Sequence, residues 1–304
     1  MCKRRTAFLT YLILITQMFL ILSTGCKKEL VDNNNPIPLN LDFVQIPAGT
    51  FNMGSPVSET WPGSDETQHQ VTLSAFKMTK YEITNAQYAI FLNAKKIRFD
   101  GLYPAGTNPA QALIDAYSIS YECFLKYTGG KWAPVAGYEN YPVLCVSWYG
   151  ASEFASYAGG SLPTEAQWEY ACRGKTTTPF NTGDCLASSE ANYCWIYNYK
   201  TCPNTNTTSP GKVQAVGTYP ANAFGLFDMH GNVWEMCSDW YGAYSTTPQT
   251  NPTGFIHTGS TLGYFHVLRG GCYLDSQQFC RSACRNSGGN NGCDYMGFRI
   301  VQGT

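Results

Sequence analysis

The chain has 304 residues, with 20 basic and 21 acidic side chains and a net charge of −1. Only 13% of its residues are charged and 14% are aromatic, so it has enough large apolar side chains to bury a sizeable core. No run of basic residues lies beyond the first few positions. This charge balance argues against nucleic acid as a partner.

The first 25 residues have the pattern of a secretory signal peptide. Lys3, Arg4 and Arg5 precede an apolar stretch over 7–22, which is too short for a spanning helix, and small residues then lead to Cys26. The pattern resembles a bacterial lipoprotein signal in which Cys26 becomes the acylated first residue. An ordinary cleaved signal with an incidental cysteine is the alternative. Cleavage removes three of the 20 basic residues and none of the 21 acidic ones, which leaves 17 against 21 and a net charge of −4.

The residues after Cys26 are polar and interrupted by proline, so 26–42 is predicted to be a tether. No second linker and no repeat of fixed period follows, and 43–304 is therefore predicted to be one domain. The expected location is the bacterial cell envelope, periplasmic or surface-exposed, with the membrane contacted through the N-terminal lipid.

The body of the chain begins with strand signals. Two short strands are expected on either side of the Pro-Ala-Gly turn at 47–49, and further strands at 71–73 and 76–78.

Three helices are predicted from their caps. Thr84 caps a helix through Asn93 whose buried face carries Tyr88, Phe91 and Leu92. Ser147 caps a second helix from Trp148 to about Ala158. The capping box of Thr164 and Gln167 starts a third, which Gly174 ends. The remainder is rich in Gly, Asn, Pro and Thr, so the fold class is α+β with few helices and many loops.

Eleven cysteines remain after Cys2 and Cys26 are set aside: Cys123, Cys145, Cys172, Cys185, Cys194, Cys202, Cys237, Cys272, Cys280, Cys284 and Cys293. Disulfides are expected in an exported protein, and the odd number leaves at least one thiol unpaired. The pairing does not follow from the spacing.

Eight motifs occur in a characteristic order. They are IPAGTFNMG at 46–54, YEITN at 81–85, YPV at 141–143, LPTEAQWE at 162–169, GLFDM at 225–229, GNVWE at 231–235, RGG at 269–271 and GFR at 297–299. Together they resemble the formylglycine-generating enzyme, or sulfatase-modifying factor, family over roughly 43–302. The resemblance implies a variant of the C-type lectin fold.

The resemblance also implies a chemistry, and one residue argues against it. The family's enzymes oxidise a sulfatase cysteine to formylglycine with oxygen and copper, which is held by two reactive thiolates because soft sulfur suits Cu(I). The first of these cysteines is expected four places after the second glycine of Arg-Gly-Gly, where this chain has Asp275. A rearranged site built from Cys272, Cys280 and Cys284 is the alternative, whereas disulfides or inert thiols are the simpler interpretation.

The resemblance implies a calcium site as well. In the family's enzymes an Asn oxygen, a Glu carboxylate and backbone carbonyls of the GNVWE motif hold Ca²⁺, and Asn232 and Glu235 are the matching residues here. The alternative is that Trp234 belongs to the core and Glu235 bonds to neighbouring groups.

The remaining charged motif residues also have two interpretations. Glu165 and Glu169 are expected to be structural hydrogen-bond acceptors beside a buried Trp168, not an acid–base pair. Four arginines, Arg269, Arg281, Arg285 and Arg299, either form a carboxylate-binding cluster or pair with buried acids such as Glu235.

The loop between the last two motifs resembles the variable region of retroelement-diversified proteins, which display a ligand surface on a lectin-like fold. Tyr, Asn, Ser and Asp combine amphipathic rings with adaptable hydrogen-bonding groups, as binding surfaces do. The predicted ligand-binding residues are Tyr273, Asp275, Asn286, Asn290, Asn291 and Tyr295. An ordinary polar family loop is the alternative.

These observations predict a lipid-anchored envelope protein that binds an unknown protein or surface ligand without catalysis. The alternative function is that of a divergent copper-dependent oxidase acting on a cysteine of a sulfatase or another exported protein.

Overall fold

The computed structural model describes residues 38–59, 61–103, 111–115, 122–197, 199, 202, 208–255, 265–288 and 291–303. Cys26, Asn290 and the predicted signal peptide lie outside these residues, as does most of the predicted tether. Residues 38–304 form one compact unit. Among the described residues, no helix has the length and apolar character that crossing a membrane requires.

The three predicted helices are confirmed. Helix α1 spans Asn85–Ala94 and begins with a capping box between Thr84 and Gln87. Its predicted face is buried, since Tyr88, Phe91 and Leu92 are each 0% exposed.

Helices α2 and α3 also begin at their predicted caps. Helix α2 spans Trp148–Tyr157, where the Ser147 side chain accepts from the amide of Gly150. Helix α3 spans Glu165–Arg173 and starts with the capping box of Thr164. It ends at Gly174, whose left-handed φ of 53° favours glycine at this position. These side-chain acceptors satisfy amides that the first turn of a helix leaves without partners.

Short strands make up the rest of the regular structure. They are β1 (Phe43–Ile46), β2 (Gly49–Met53), β3 (His69–Leu73), β4 (Phe76–Thr79), β5 (Leu125–Thr128), β6 (Lys131–Pro134), β7 (Trp234–Trp240), β8 (Gln249–Thr250), β9 (His266–Arg269), β10 (Arg285–Gly288), β11 (Met296–Gly297) and β12 (Val301–Gly303). A 3₁₀ turn, Gln277–Cys280, lies between β9 and β10.

The strands around the Pro-Ala-Gly turn are confirmed as strands, but they do not pair with each other. Strand β1 pairs with β4, and β2 pairs with β3. The turn therefore passes the chain from one small sheet to the next.

The sheets bring the two ends of the described domain together. Strand β12 pairs with β4, so the last strand lies in the sheet that contains the first, in the order β1-β4-β12. The four-stranded sheet has the order β10-β9-β7-β11. The RGG motif begins at the last residue of β9, and the GFR motif begins at the last residue of β11. These pairings fix both ends of the C-terminal loop on one sheet.

Candidate functional site

The C-terminal face is the surface formed by residues 272–288 and 291–295, between the ends of β9 and β11. Its geometry begins at Gly271, which has φ of 75°. A Cβ on Gly271 would lie 2.7 Å from Sγ of Cys280 and 3.0 Å from the carbonyl oxygen of Phe279. Only glycine lets the 3₁₀ turn pack this closely on the end of β9.

The three cysteines of the face are buried beneath it. Cys272, Cys280 and Cys284 are 3%, 0% and 6% exposed. Burial raises the pKa of each thiol, that of Cys284 to about 12, and the nearby carboxylate of Asp275 adds to the rise at Cys272 and Cys280. All three are therefore protonated at neutral pH, whereas copper binding and nucleophilic attack require thiolates.

Asp275 has a structural role within the loop. Its Oδ2 accepts from the amide of Cys272 at 3.0 Å, and its carbonyl accepts from the amide of Cys194 at 2.7 Å. The carboxylate closes the turn after β9, and the carbonyl joins the face to the segment around Cys194.

The outer surface of the face is apolar and aromatic in part. Leu274, Phe279 and Tyr295 are 55%, 42% and 38% exposed. The predicted residues Asn286 and Asn291 are also exposed, and Asp275 is half-buried. Tyr273 does not lie on this surface, because it is only 7% exposed and packs in the core.

A groove adjoins the face. It is a cavity of about 370 Å³ whose apolar rim includes Trp61 and Phe279, with Gln278 and Arg281 among its polar lining residues. Trp61 is 55% exposed and lies edge-on to Tyr199, with ring centroids 5.9 Å apart. The sequence did not predict Trp61 or Phe279 as ligand-binding residues. Isolated large aromatics within polar segments were the available signal.

Buried ion pairs hold the two walls of this groove in place. Arg281 binds Glu59 at 2.6 Å and Glu66 at 2.8 Å, and all three side chains are at most 4% exposed. The guanidinium lowers the pKa of Glu66 against the opposing effect of burial, whereas burial dominates at Glu59 and raises its pKa. Glu59 and Glu66 are thus joined through charge to Arg281, the residue that follows the 3₁₀ turn.

The other predicted arginines are paired in the same manner. Arg285 contacts both carboxylate oxygens of Glu165, at 2.7 and 2.9 Å. Arg269 binds Glu169, and Arg299 binds both oxygens of Glu235 at 2.7 Å. The interpretation of the four arginines as partners of buried acids is confirmed. Glu165 and Glu169 are structural acceptors on α3, and Trp168 is 0% exposed.

Comparison with known proteins agrees with this geometry. The family model for the sulfatase-modifying factor enzyme 1-like domain matches residues 28–304 of this chain. The chain belongs to this family. The formylglycine-generating enzyme of Streptomyces coelicolor is 31% identical over 282 residues, which cover 85% of this chain and 88% of that protein. The mouse enzyme is 32% identical, covering 88% and 77%.

Other relatives in this family have different names. A protein named serine/threonine-protein kinase pkn1 from Chlamydia caviae is 33% identical over 91% of this chain, but the match spans only 40% of that protein. Among solved structures, PvdO from Pseudomonas aeruginosa has a TM-score of 0.63 at 24% identity, covering 86% of this chain and 94% of that one. The structural likeness establishes the loop-rich, C-type-lectin-like fold of the formylglycine-generating-enzyme type.

The GNVWE motif of the family does not present the predicted calcium ligands as a free set. Both oxygens of Glu235 are occupied by Arg299, and Oε2 also accepts from the Trp168 indole at 2.8 Å. Oδ1 of Asn232 accepts from Asn192 and from the amide of Gln214, each at 3.0 Å. This arrangement does not fit a calcium site at Asn232 and Glu235. Calcium binding here stays a prediction that a melting experiment with added calcium or chelator tests.

One disulfide, Cys185–Cys202, is present, and nine other cysteines of the described residues have free thiols. Two of these nine thiols are in contact. Cys145 and Cys123 share a hydrogen bond, which lowers the pKa of Cys123 and raises that of Cys145.

We predict that this pair closes to a second disulfide in a glutathione buffer of oxidising ratio. The Cys123 thiolate attacks glutathione disulfide and releases one glutathione, and Cys145 then attacks the mixed disulfide at Cys123 and releases the second. The lowered pKa of Cys123 favours its thiolate as the attacking group. The new cross-link should raise the free energy of unfolding by about 3 kcal/mol, as expected for a loop of roughly 20 residues. Peptide mapping with and without reductant checks the bond, and Cys123→Ser is the control that must abolish both effects. Recovery of both peptides unlinked after oxidation would refute the pairing.

Proposed function

We propose that this protein is a non-catalytic binding domain of the cell envelope, anchored through a lipid on Cys26. Its C-terminal face and the adjoining groove bind a protein or surface ligand. The observation that carries the proposal is which side chains this face buries and which it exposes. The sulfur atoms that an oxidase would need are buried and protonated, whereas Leu274, Phe279 and Tyr295 are turned outward.

The groove supports a protein ligand. Exposed aromatic side chains beside a concave surface are typical anchors of protein interfaces, because they bury a large area at little cost in side-chain entropy. Trp61 and Phe279 supply such anchors among the lining residues, and the Arg281 ion pairs join the segment around Trp61 to the segment around Phe279. A rigid surface of this kind loses little conformational entropy on binding.

The proposal is tested with three full-length proteins: the wild type, a double variant Leu274→Ala/Phe279→Ala, and the matched control Phe99→Ala. Phe99 is 54% exposed and follows α1, outside the residues that line the groove. Each is immobilised, and envelope proteins retained by the wild type are identified and then measured individually. We expect the double variant to bind such a partner at least about tenfold more weakly, since truncated anchors typically cost 1–2 kcal/mol or more. The control should bind as the wild type does.

The oxidase alternative makes the opposite prediction. Wild-type protein loaded with Cu(I) is incubated with a Cys-x-Pro-x-Arg peptide under oxygen, and the peptide mass is followed. Conversion of the cysteine to the aldehyde, abolished by Cys280→Ser, would overturn the binding proposal. So would partners that bind the double variant and the wild type equally.

A further inference from the structure

A second cavity lies between the end of β7 and the start of α3, and Arg285 of the C-terminal face is among its lining residues. Its volume is about 380 Å³, within the range of small-molecule sites. Met53, Trp240 and Phe255 form apolar walls, and Asp239, Glu165 and Arg285 are the charged lining residues. We propose that this cavity binds a small organic cation, an ammonium group joined to an apolar body, whose charge pairs with the carboxylate of Asp239.

Asp239 is buried but incompletely bonded. The residue is 3% exposed, and its Oδ2 accepts from Oγ of Ser238 at 2.9 Å and from the amide of Glu165 at 3.1 Å. Within the part of the chain that the structure describes, no group donates to its Oδ1. Oδ1 lies beside the cavity wall at Gly254, where an added Cβ would be 2.5 Å away. The unused acceptor is therefore positioned for a ligand in the cavity.

The local charges leave Asp239 without a counter-ion. Arg285 is engaged by both oxygens of Glu165, and Arg269 is engaged by Glu169 and Glu165. Among the described residues, no arginine or lysine forms an ion pair with Asp239. A buried carboxylate without a cation is unfavourable, and an entering ammonium group would supply the missing charge.

The apolar walls suit the body of such a ligand. Phe255, which is 42% exposed, offers aromatic surface. The ring of Trp240 is stacked on His266 with centroids 3.9 Å apart, and the ring of Tyr244 is covered by the guanidinium of Arg285 at 3.9 Å from its centroid. An ammonium group also gains from nearby aromatic faces, which a neutral or anionic group of the same size does not.

Protonation of Asp239 sets the pH dependence of binding. Burial, and secondarily the charge of Glu165, raises the pKa of Asp239 to about 7, with Arg285 opposing the rise. The other titratable groups facing it are His69 across the cavity, His266, whose Nδ1 lies 3.3 Å from the Asp239 carbonyl, and the adjacent Cys237. Ammonium binding should therefore strengthen as the pH rises from 6 to 8.

Three matched probes test the proposal by calorimetry on the full chain: 2-phenylethylamine, 2-phenylethanol and phenylacetate. At pH 8 the amine should bind at least about tenfold more tightly than the alcohol, a difference of one ion pair, and phenylacetate should bind more weakly still. Asp239→Asn should remove the preference for the amine and leave the affinity for the alcohol unchanged. Ala243→Trp, at an exposed position on the cavity lining, should weaken both.

Each other outcome overturns the inference. Equal affinity for amine and alcohol in the wild type would show that no carboxylate is used. A preference retained in Asp239→Asn would place the charge elsewhere, and binding indifferent to Ala243→Trp would place the ligand outside the cavity. Asp239→Asn should fold at pH 8, because it removes a buried charge, and a melting curve checks this.

Discussion

Replacing Arg299 with Met should lower the free energy of unfolding by about 3–5 kcal/mol, the usual cost of leaving one member of a buried ion pair alone. Arg299 is 0% exposed, and its guanidinium contacts both oxygens of Glu235 and the carbonyl of Phe227 at 2.8 Å. Without it, Glu235 would face Glu82 and Asp228, whose pKa values burial already raises. Urea denaturation at pH 7.5 measures the loss.

The matched control for this variant is Arg98→Met. Arg98 also makes a 2.7 Å ion pair, with Asp100, but the two side chains are 44% and 27% exposed. Surface pairs of this kind contribute at most about 1 kcal/mol, so this variant should be nearly as stable as the wild type. The double variant Arg299→Met/Glu235→Gln should recover part of the loss. Equal stabilities of Arg299→Met and Arg98→Met would contradict the assigned role of the buried pair.

Local sequence signals predicted the helices because the caps are local. The capping boxes at Thr84 and Thr164, and Gly174 after α3, each involve residues a few positions apart. Strand pairing is not local. In the sequence, β1 and β2 lie on either side of one turn, as the strands of a hairpin do. Their partners are β4 and β3, which the turn residues do not specify.

The same distinction applies to the functional surface. The motif frame places Asp275 and the cysteines correctly in the loop, but their burial depends on packing against residues far away in sequence. Tyr273 resembles a surface binding residue by type, yet it is 7% exposed, because its ring packs in the core and its amide donates to the carbonyl of Asn232 at 3.0 Å. Trp61 joins the groove from 217 positions before Gln278, and no local pattern connects them.

The two cavities differ in how their charges are balanced. At the groove, Glu59 and Glu66 share Arg281 as a counter-ion, and both carboxylates contact its guanidinium. At the second cavity, every described arginine already forms an ion pair with another acid, and Asp239 has no counter-ion among the described residues. A site that holds its charges paired is suited to a rigid protein-binding surface, whereas an unpaired buried carboxyl is suited to a small charged ligand.

Replacing Arg281 with Met should destabilise the protein by about 3–5 kcal/mol at pH 8, since two buried carboxylates lose their shared partner. In the wild type, the lowered pKa of Glu66 contributes stability above its unfolded pKa, and this contribution is lost as the pH falls. In the variant, burial and mutual repulsion should raise the pKa values of Glu59 and Glu66. Protonation of these two carboxyls then stabilises the folded variant at low pH, and this stabilisation is lost as the pH rises. The stability gap should therefore be wide at pH 8 and narrow towards pH 5.

Denaturation at both pH values, together with hydrogen exchange, measures this effect. Exchange of the amides at 55–66 should accelerate in the variant, because Arg281 joins this segment to the 3₁₀ turn. Adding Glu66→Gln to Arg281→Met should recover part of the loss at pH 8, since only one carboxylate then remains without a partner. A stability gap that does not change with pH, or unchanged exchange at 55–66, would show that these ion pairs do not hold the wall of the groove. In that event the groove would not be the rigid surface that the proposed binding function requires.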